Sequence, residues 1–306
     1  MRTRNTLAAL VSTLVVLSAC SSSSDKPSPE AAKYADYVAL GDSYSAGPLI
    51  APTVKEAPAL CLRSQANYPG FLSSYLKVKK LTDVTCSGAT TSDLYSSQSV
   101  RMGLPQNPAN KTPPQLDALS SKTDLVTLGM GANDFSEFGK TFASLTAGEG
   151  IPPGANQQVQ DVEKNLEIAI DAIAKRAPHA RIMVIGYLRI APDSGTCKVF
   201  PFSPAKSKIV NQMEQQLNGA LEDAAKAKGA TYVDSYTIST GHDVCAGDAA
   251  WVNGVNNIVF KAAFLHPFLE GMNGVARQIY LELTSEIAPK DASNGDLRRV
   301  PRTVAG

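Results

Sequence analysis

Histidine is nearly absent from this chain: there are three in 306 residues, beside 28 acidic and 29 basic side chains. Any proton transfer through an imidazole must therefore use His179, His242 or His266. Excess charge is missing as well. The formal net charge is +1 and there is no basic block, which argues against nucleic acid as a partner. Aromatic residues make up only 7%, with one tryptophan, and no internal repeat is visible. The five cysteines show no CxxC spacing, and the histidines no HxxxH spacing, so nothing frames a zinc site. No apolar run is long enough to cross a bilayer comfortably. What is present is 43% hydrophobic residues over this length, which suits one large globular domain with a sizeable core.

The N-terminus reads as an address and not as part of the fold. Arg2 and Arg4 precede the twelve-residue apolar stretch TLAALVSTLVVL, which ends in Leu17-Ser18-Ala19-Cys20. This pattern resembles a bacterial lipobox, in which Cys20 becomes the lipidated first residue of the mature chain. The expected boundaries are a lipoprotein signal peptide over 1–19, a polar Ser- and Pro-containing tether over 20–35, a catalytic-sized domain over 36–288 and a weakly ordered tail over 289–306. The chain is thus expected to be exported and attached by lipid to the outer face of the cell membrane, or secreted. Export leaves Cys61, Cys86, Cys197 and Cys245 in an oxidising compartment, where an even number implies disulfides.

Five short apolar or β-branched runs mark strands: Tyr37–Ser43, Leu81–Cys86, Asp124–Gly131, Arg181–Tyr187 and Thr231–Tyr236. Their near-continuous apolarity suits strands buried on both faces. Between them, Asn156–Arg176 and Ala205–Lys228 carry apolar residues at three- and four-residue spacing, and Gly229 offers a stop. YPGFLSSYLKVK predicts a weaker helix, and another begins near Met272. Strands alternating with helices imply a parallel sheet covered on both faces. Ser96–Lys111, Gly139–Gly154 and Thr237–Lys261 break this rhythm and predict long functional or mobile loops.

In an open α/β sheet, ligands bind beyond the carboxyl ends of the strands. Strand one ends in Gly41-Asp42-Ser43, strand two in Cys86-Ser87-Gly88-Ala89-Thr90, and strand three in Gly131-Ala132-Asn133-Asp134-Phe135. One edge thus gathers a hydroxyl, a bare glycine backbone and a side-chain amide, the set that acyl transfer requires of a nucleophile and its oxyanion donors. If neighbouring strands bring their ends together, the cysteines pair as Cys61–Cys86 and Cys197–Cys245. His179 precedes strand four at the opposite edge, so a structural role is expected. His242 sits in the loop after strand five, suited to loop packing or substrate contact. His266, in Phe264-Leu265-His266-Pro267, can be delivered to the rim by the last loop and is the candidate base. Asp42 adjoins Ser43 and is expected to brace the turn, and Phe135 and Phe138 to form pocket wall.

GDSYSAG, the SGAT glycine, GANDF and a C-terminal HP motif, in this order from about Tyr37 to Leu283, resemble the four blocks of the SGNH (GDSL-like) hydrolase family, and in particular secreted actinobacterial esterases and lipases. The resemblance implies a three-layer α/β/α sandwich of the flavodoxin-like kind, with a five-stranded parallel sheet. It makes Ser43 the nucleophile and His266 the general base and later acid. The N–H groups of Ser43, Gly88 and Asn133 become the oxyanion hole, and no metal or organic cofactor is implied. The family's last block usually carries an aspartate three residues before the histidine, where this chain has Ala263, and Phe268 stands where asparagine is frequent. A backbone carbonyl at Ala263 is then expected to orient His266, with Asp243 as the lesser alternative. The expected activity is hydrolysis of carboxylic esters through a Ser-His dyad and an acyl-enzyme, on lipid, acylglycerol or other acyl esters, by a monomer. The alternatives are removal of O-acetyl groups from a polysaccharide and, outside catalysis, a ligand-binding surface lipoprotein.

Overall fold

A computed structural model of the chain describes residues 30–99, 111–134, 155–290 and 302–303. The signal peptide, Cys20 and most of the tether lie outside the described residues, as do Phe135, Phe138 and most of the tail. Ala31, at the end of the expected tether, is buried in the core.

The five expected strands form a parallel sheet. They are β1 (Asp36–Gly41), β2 (Lys80–Asp83), β3 (Leu125–Gly129), β4 (Arg181–Ile185) and β5 (Thr231–Val233), in the spatial order β5-β4-β3-β1-β2. A two-residue strand, β6 (Arg302–Thr303), adds to the outer edge of β2. The helices are α1 (Ser43–Ala46), α2 (Tyr68–Leu76), α3 (Ala155–Arg176), α4 (Pro204–Ala227), α5 (Ser235–Ile238) and α6 (Leu269–Thr284). Asn156–Arg176 and Ala205–Lys228 agree with α3 and α4 to within a residue, whereas α2 stops at Leu76, three residues short of the expected YPGFLSSYLKVK, because Lys77 turns left-handed at φ +54°. The last helix begins earlier than its apolar pattern predicts, directly after His266-Pro267-Phe268.

The alternation of side chains along each strand builds the three layers. Tyr37 and Ala39 of β1 join Leu81, Leu125, Met183 and Val233 in one apolar cluster, which α2 and α6 close with Phe71, Tyr75, Met272 and Ile279. Val38 and Leu40 point the other way, to a cluster with Val126, Leu128 and Val184 that α3 and α4 close with Leu166, Ile170, Met213 and Leu217. A strand buried on both faces favours apolar residues on both sides of the sheet, which is why the runs do not alternate; the buried polar exceptions Thr82, Asp83 and Thr127 are hydrogen-bonded or otherwise partnered. The α4 start is also local: Ser203 caps it by accepting from the Lys206 N–H at 3.4 Å, and Pro204 occupies the first turn, where its missing N–H costs nothing.

The chain leaves β1 for β2 on one side and crosses back to β3 on the other. β1 is therefore the point where the order reverses, the usual place for a cleft in an open α/β sheet. The expected strands run on beyond the observed ones because their last residues have left the sheet to form the rim. β1 and β3 end in register at Gly41 and Gly129. A Cβ at Gly41 would lie 2.3 Å from Ser45 Oγ, so this glycine is what lets α1 sit directly on the strand end. Buried Gln115 then stitches Gly41 in place, accepting from its N–H at 2.8 Å and donating to its carbonyl at 3.0 Å.

Candidate active site

Ser43, Gly88, Asn133 and His266 line one cleft of about 500 Å³, together with Pro48, Leu49, Leu62, Ala263 and Phe264. The four sites singled out from strand ends and the last loop are thus brought together, although 223 residues separate Ser43 from His266.

Ser43 opens the short helix α1. Asp42 caps it: its carboxylate accepts from the Tyr44 N–H at 2.9 Å and from the Tyr187 hydroxyl at 2.6 Å. Tyr187 Oη accepts in turn from the Ala132 N–H at 2.9 Å, so one buried chain of hydrogen bonds ties the serine turn to the loop that carries Asn133. Asp42 is enclosed, and burial pushes its carboxyl up to about 7 against the opposing effect of these hydrogen bonds. The Ser43 N–H, one of the orphan donors of a helix start, has no hydrogen-bond partner among the described residues.

Gly88 follows β2 in a loop fixed from beneath. The Cys61–Cys86 disulfide joins it to the loop after α1, and the Cys61 carbonyl accepts from both the Ser87 N–H (3.2 Å) and the Ser87 hydroxyl (2.8 Å). Under it, buried Arg63 donates from Nε to the Thr85 carbonyl at 2.7 Å and pairs with Asp83 at 3.5 Å. Gly88 itself has φ +79°, a left-handed conformation that side chains resist, and its N–H has no partner among the described residues. Buried Gln98 donates from Nε2 to the Ser87 carbonyl at 2.9 Å, on the far side of the peptide that carries the Gly88 N–H. Gln98 lies in a segment read from sequence as an irregular loop. A lone glutamine there gives no signal of the contact.

Asn133 donates one amide hydrogen to the Ala89 carbonyl at 2.9 Å, which leaves its second N–H unused. Asp134 holds the same corner by accepting from the Thr91 N–H at 2.9 Å and from the Thr91 hydroxyl.

His266 is oriented through Nδ1–H, which donates to the Phe264 carbonyl at 2.7 Å. This corrects the expectation of Ala263. The Ala263 carbonyl is already occupied, accepting from the His266 backbone N–H at 3.2 Å and from Asn253 Nδ2 at 2.9 Å. The physical reason is the turn: Leu265 adopts φ +56°, which folds the ring back over the carbonyl two residues before it and not three. Tyr44 clamps that turn, donating its hydroxyl to the Leu265 carbonyl at 2.5 Å while its ring lies 5.1 Å from the imidazole. Nε2 is buried with no partner among the described residues, and burial pushes the imidazole below its ordinary 6.5, outweighing the hydrogen bond that Nδ1–H donates to Phe264. Burial thus favours the neutral imidazole, whose lone pair is then on Nε2.

The other candidates lie elsewhere. His242 stacks on Trp251 with centroids 4.3 Å apart and bonds through Nδ1 to the Ala249 carbonyl at 2.6 Å, which is loop packing. Asp243 accepts from the Cys245 N–H at 2.8 Å and does not orient His266. His179 is exposed before β4, at the opposite end of the sheet. The second disulfide is Cys197–Cys245, so both expected pairings hold.

Residues 39–272 match the profile of the GDSL-like Lipase/Acylhydrolase family. Over 234 residues the chain is 38% identical to Lipase 2 of Streptomyces coelicolor, spanning 71% of this chain and 75% of that protein. Among solved structures, phospholipase A1 from Streptomyces albidoflavus superposes with a TM-score of 0.63 at 26% identity, covering 83% of this chain and 100% of that one. The extracellular lipase of Streptomyces rimosus also gives 0.63, at 27% identity, covering 82% and 98%.

Proposed function

Because the chain belongs to the GDSL-like lipase/acylhydrolase family and is a hydrolase of carboxylic esters, we infer that Ser43 and His266 form its catalytic dyad. His266 Nε2 takes the Ser43 hydroxyl proton as Oγ attacks the acyl carbonyl. The N–H groups of Ser43 and Gly88 and the free amide hydrogen of Asn133 receive the developing oxyanion. The imidazolium then gives its proton to the departing alkoxide, and water, activated by the same ring, releases the acid from the acyl-enzyme. The Phe264 carbonyl does the work usually given to an aspartate: it fixes the tautomer and ring angle, though without a full negative charge to stabilise the imidazolium.

The observation that carries this reading is a convergence on one cleft. Three N–H donors have no further partner among the described residues, beside an imidazole whose burial favours the neutral form and whose buried Nε2 is likewise without a partner among them. Its apolar wall of Pro48, Leu49, Leu62, Ala263 and Phe264 favours acyl chains of lipid or acylglycerol esters. The names of similar chains, a lipase and a phospholipase A1, support that substrate class. The N-terminal pattern and the two disulfides support an exported enzyme tethered through Cys20. The test is hydrolysis of p-nitrophenyl butyrate by the wild type and by Ser43→Ala. The variant should lose about 10^4-fold or more in kcat. An inert wild type, or a variant of equal activity, overturns the assignment.

A further inference from the structure

Apolar side chains that a fold leaves in water are normally scattered. Here they are not. Of the ten large hydrophobic residues exposed among those described, Val199, Ile258, Val259, Phe260 and Phe264 fall in one place. Ile258 and Ala262 exchange hydrogen bonds of 2.9 and 3.0 Å, closing a tight hairpin whose tip is Val259-Phe260-Lys261. Phe260 is 78% exposed and Val259 63%, the two most projecting side chains of the group. The Val255 N–H donates to the Val199 carbonyl at 3.0 Å, which sets Val199 beside the hairpin root.

Nothing in the fold requires these residues at the tip. Phe260 adopts φ +68°, where glycine or asparagine would sit without strain. The hairpin is nevertheless held rigid from inside. Buried Asn253 shares the two hydrogens of Nδ2 among the carbonyls of Asn256 (2.7 Å), Ala263 (2.9 Å) and, more distantly, Ala262 (3.2 Å), and the Ala51 N–H donates to the Phe260 carbonyl at 3.4 Å. A preformed apolar tip loses little entropy on burial. Its own segment carries only basic charge: between Asp248 and Glu270 the chain has no carboxylate, and Lys198 and Lys261, the sequence neighbours of Val199 and Phe260, are both exposed. Apolar side chains with interspersed lysines are the pattern that seats proteins in the headgroup layer of an anionic membrane. The patch is also continuous with the cleft, because Phe264 is 53% exposed yet lines the wall beside His266.

We propose that the Ile258–Ala262 hairpin, with Val199 and Phe264, is a lipid-docking surface that seats the cleft mouth on an anionic lipid–water interface. Ester substrates then pass from the lipid phase along Phe264 into the cleft. This route rests on the ester-hydrolase reading of the cleft, whereas the docking does not. Docking also touches catalysis, since the carbonyl of Phe264 holds His266.

The test has two arms, both on the full chain. In Phe260→Trp, the added indole is titrated with vesicles of phosphatidylcholine and phosphatidylglycerol carrying bromine on their acyl chains. Quenching well beyond that of wild-type Trp251 is expected, and it reads insertion of the tip whatever the N-terminus contributes. In the double variant Val259→Asp/Phe260→Asp, turnover of the same vesicle lipids should fall at least tenfold, with kcat/KM on soluble p-nitrophenyl acetate unchanged within twofold. Absence of extra quenching overturns the proposal. So does a double variant that keeps full activity on vesicles, or one whose only effect is to abolish self-association seen by light scattering. If p-nitrophenyl acetate is not hydrolysed at all, the ester-hydrolase reading fails while the quenching arm still decides the docking.

Discussion

Asp42→Asn exchanges one buried oxygen for an amide nitrogen, and its consequence for stability has a sign and a size. Burial pushes the Asp42 carboxyl from 3.8 up to about 7. In the unfolded chain the same group loses its proton near 3.8. Between those values the native state holds a proton that the unfolded state has released, so stability falls as pH rises. The contribution is fully present below about pH 3.8 and lost above about 7. Roughly three pH units at about 1.36 kcal/mol each amount to a loss of about 4 kcal/mol across the window. That is a large part of a typical total of about 5–15 kcal/mol. Asparagine does not titrate but can still cap α1 through its oxygen. The difference in unfolding free energy between wild type and Asp42→Asn, from urea curves at about pH 4 and about pH 8, should therefore change by about 4 kcal/mol, to the variant's advantage at the higher pH. Glu214, which burial pushes up to about 8, and His266 titrate in both proteins and cancel. A difference constant to within about 1 kcal/mol would refute the burial reasoning. Activity gives a second check. If Asp42 only braces the turn, its amide variant keeps activity within about tenfold, far from the loss of about 10^4 expected of an orienting carboxylate.

The kcat/KM profile of the wild type should keep its acid limb below pH 6.5, because burial lowers the His266 imidazole and the proposed mechanism uses the neutral ring as base. A midpoint at or above 6.5 in a titration with p-nitrophenyl butyrate would contradict it. Gln98→Leu removes the donor to the Ser87 carbonyl and should lower kcat about 10- to 100-fold with KM nearly unchanged, since a loosened Gly88 N–H matters most when the oxyanion forms. A matching rise in KM would mean a binding role instead. Replacing both cysteines of the 48-residue loop, Cys197 and Cys245, should cost about 4 kcal/mol of stability, and those of the 25-residue loop, Cys61 and Cys86, about 3.5 kcal/mol. Only the second pair should also depress kcat, because it anchors the loop that carries Gly88; equal effects on activity would count against that placement.

What the sequence determined by itself was whatever depends on local pattern. Continuous apolarity specified strands buried on both faces, three- and four-residue spacing specified α3 and α4, and their alternation specified a parallel sheet whose strand ends share one rim. Ser43, Gly88 and Asn133 could be singled out because each lies in the loop that leaves a strand end, and they do line one cleft. His266 could be singled out because only three histidines exist and the last loop carries this one to the rim just before the final helix. The same logic found both disulfides. The identity of the carbonyl behind His266 was beyond its reach: a single left-handed residue, Leu265, moved the partner from Ala263 to Phe264. The Tyr187 link between Asp42 and Ala132, the Gln98 contact under Gly88 and the Tyr44 clamp on Leu265 join residues that are from 11 to 221 positions apart. The apolar hairpin beside the cleft was equally hidden, because one tip in water and another in the core read alike as sequence. Such pairings carry no periodicity, so only the packed chain, which fixes which side chains meet and which are left to solvent, could decide them.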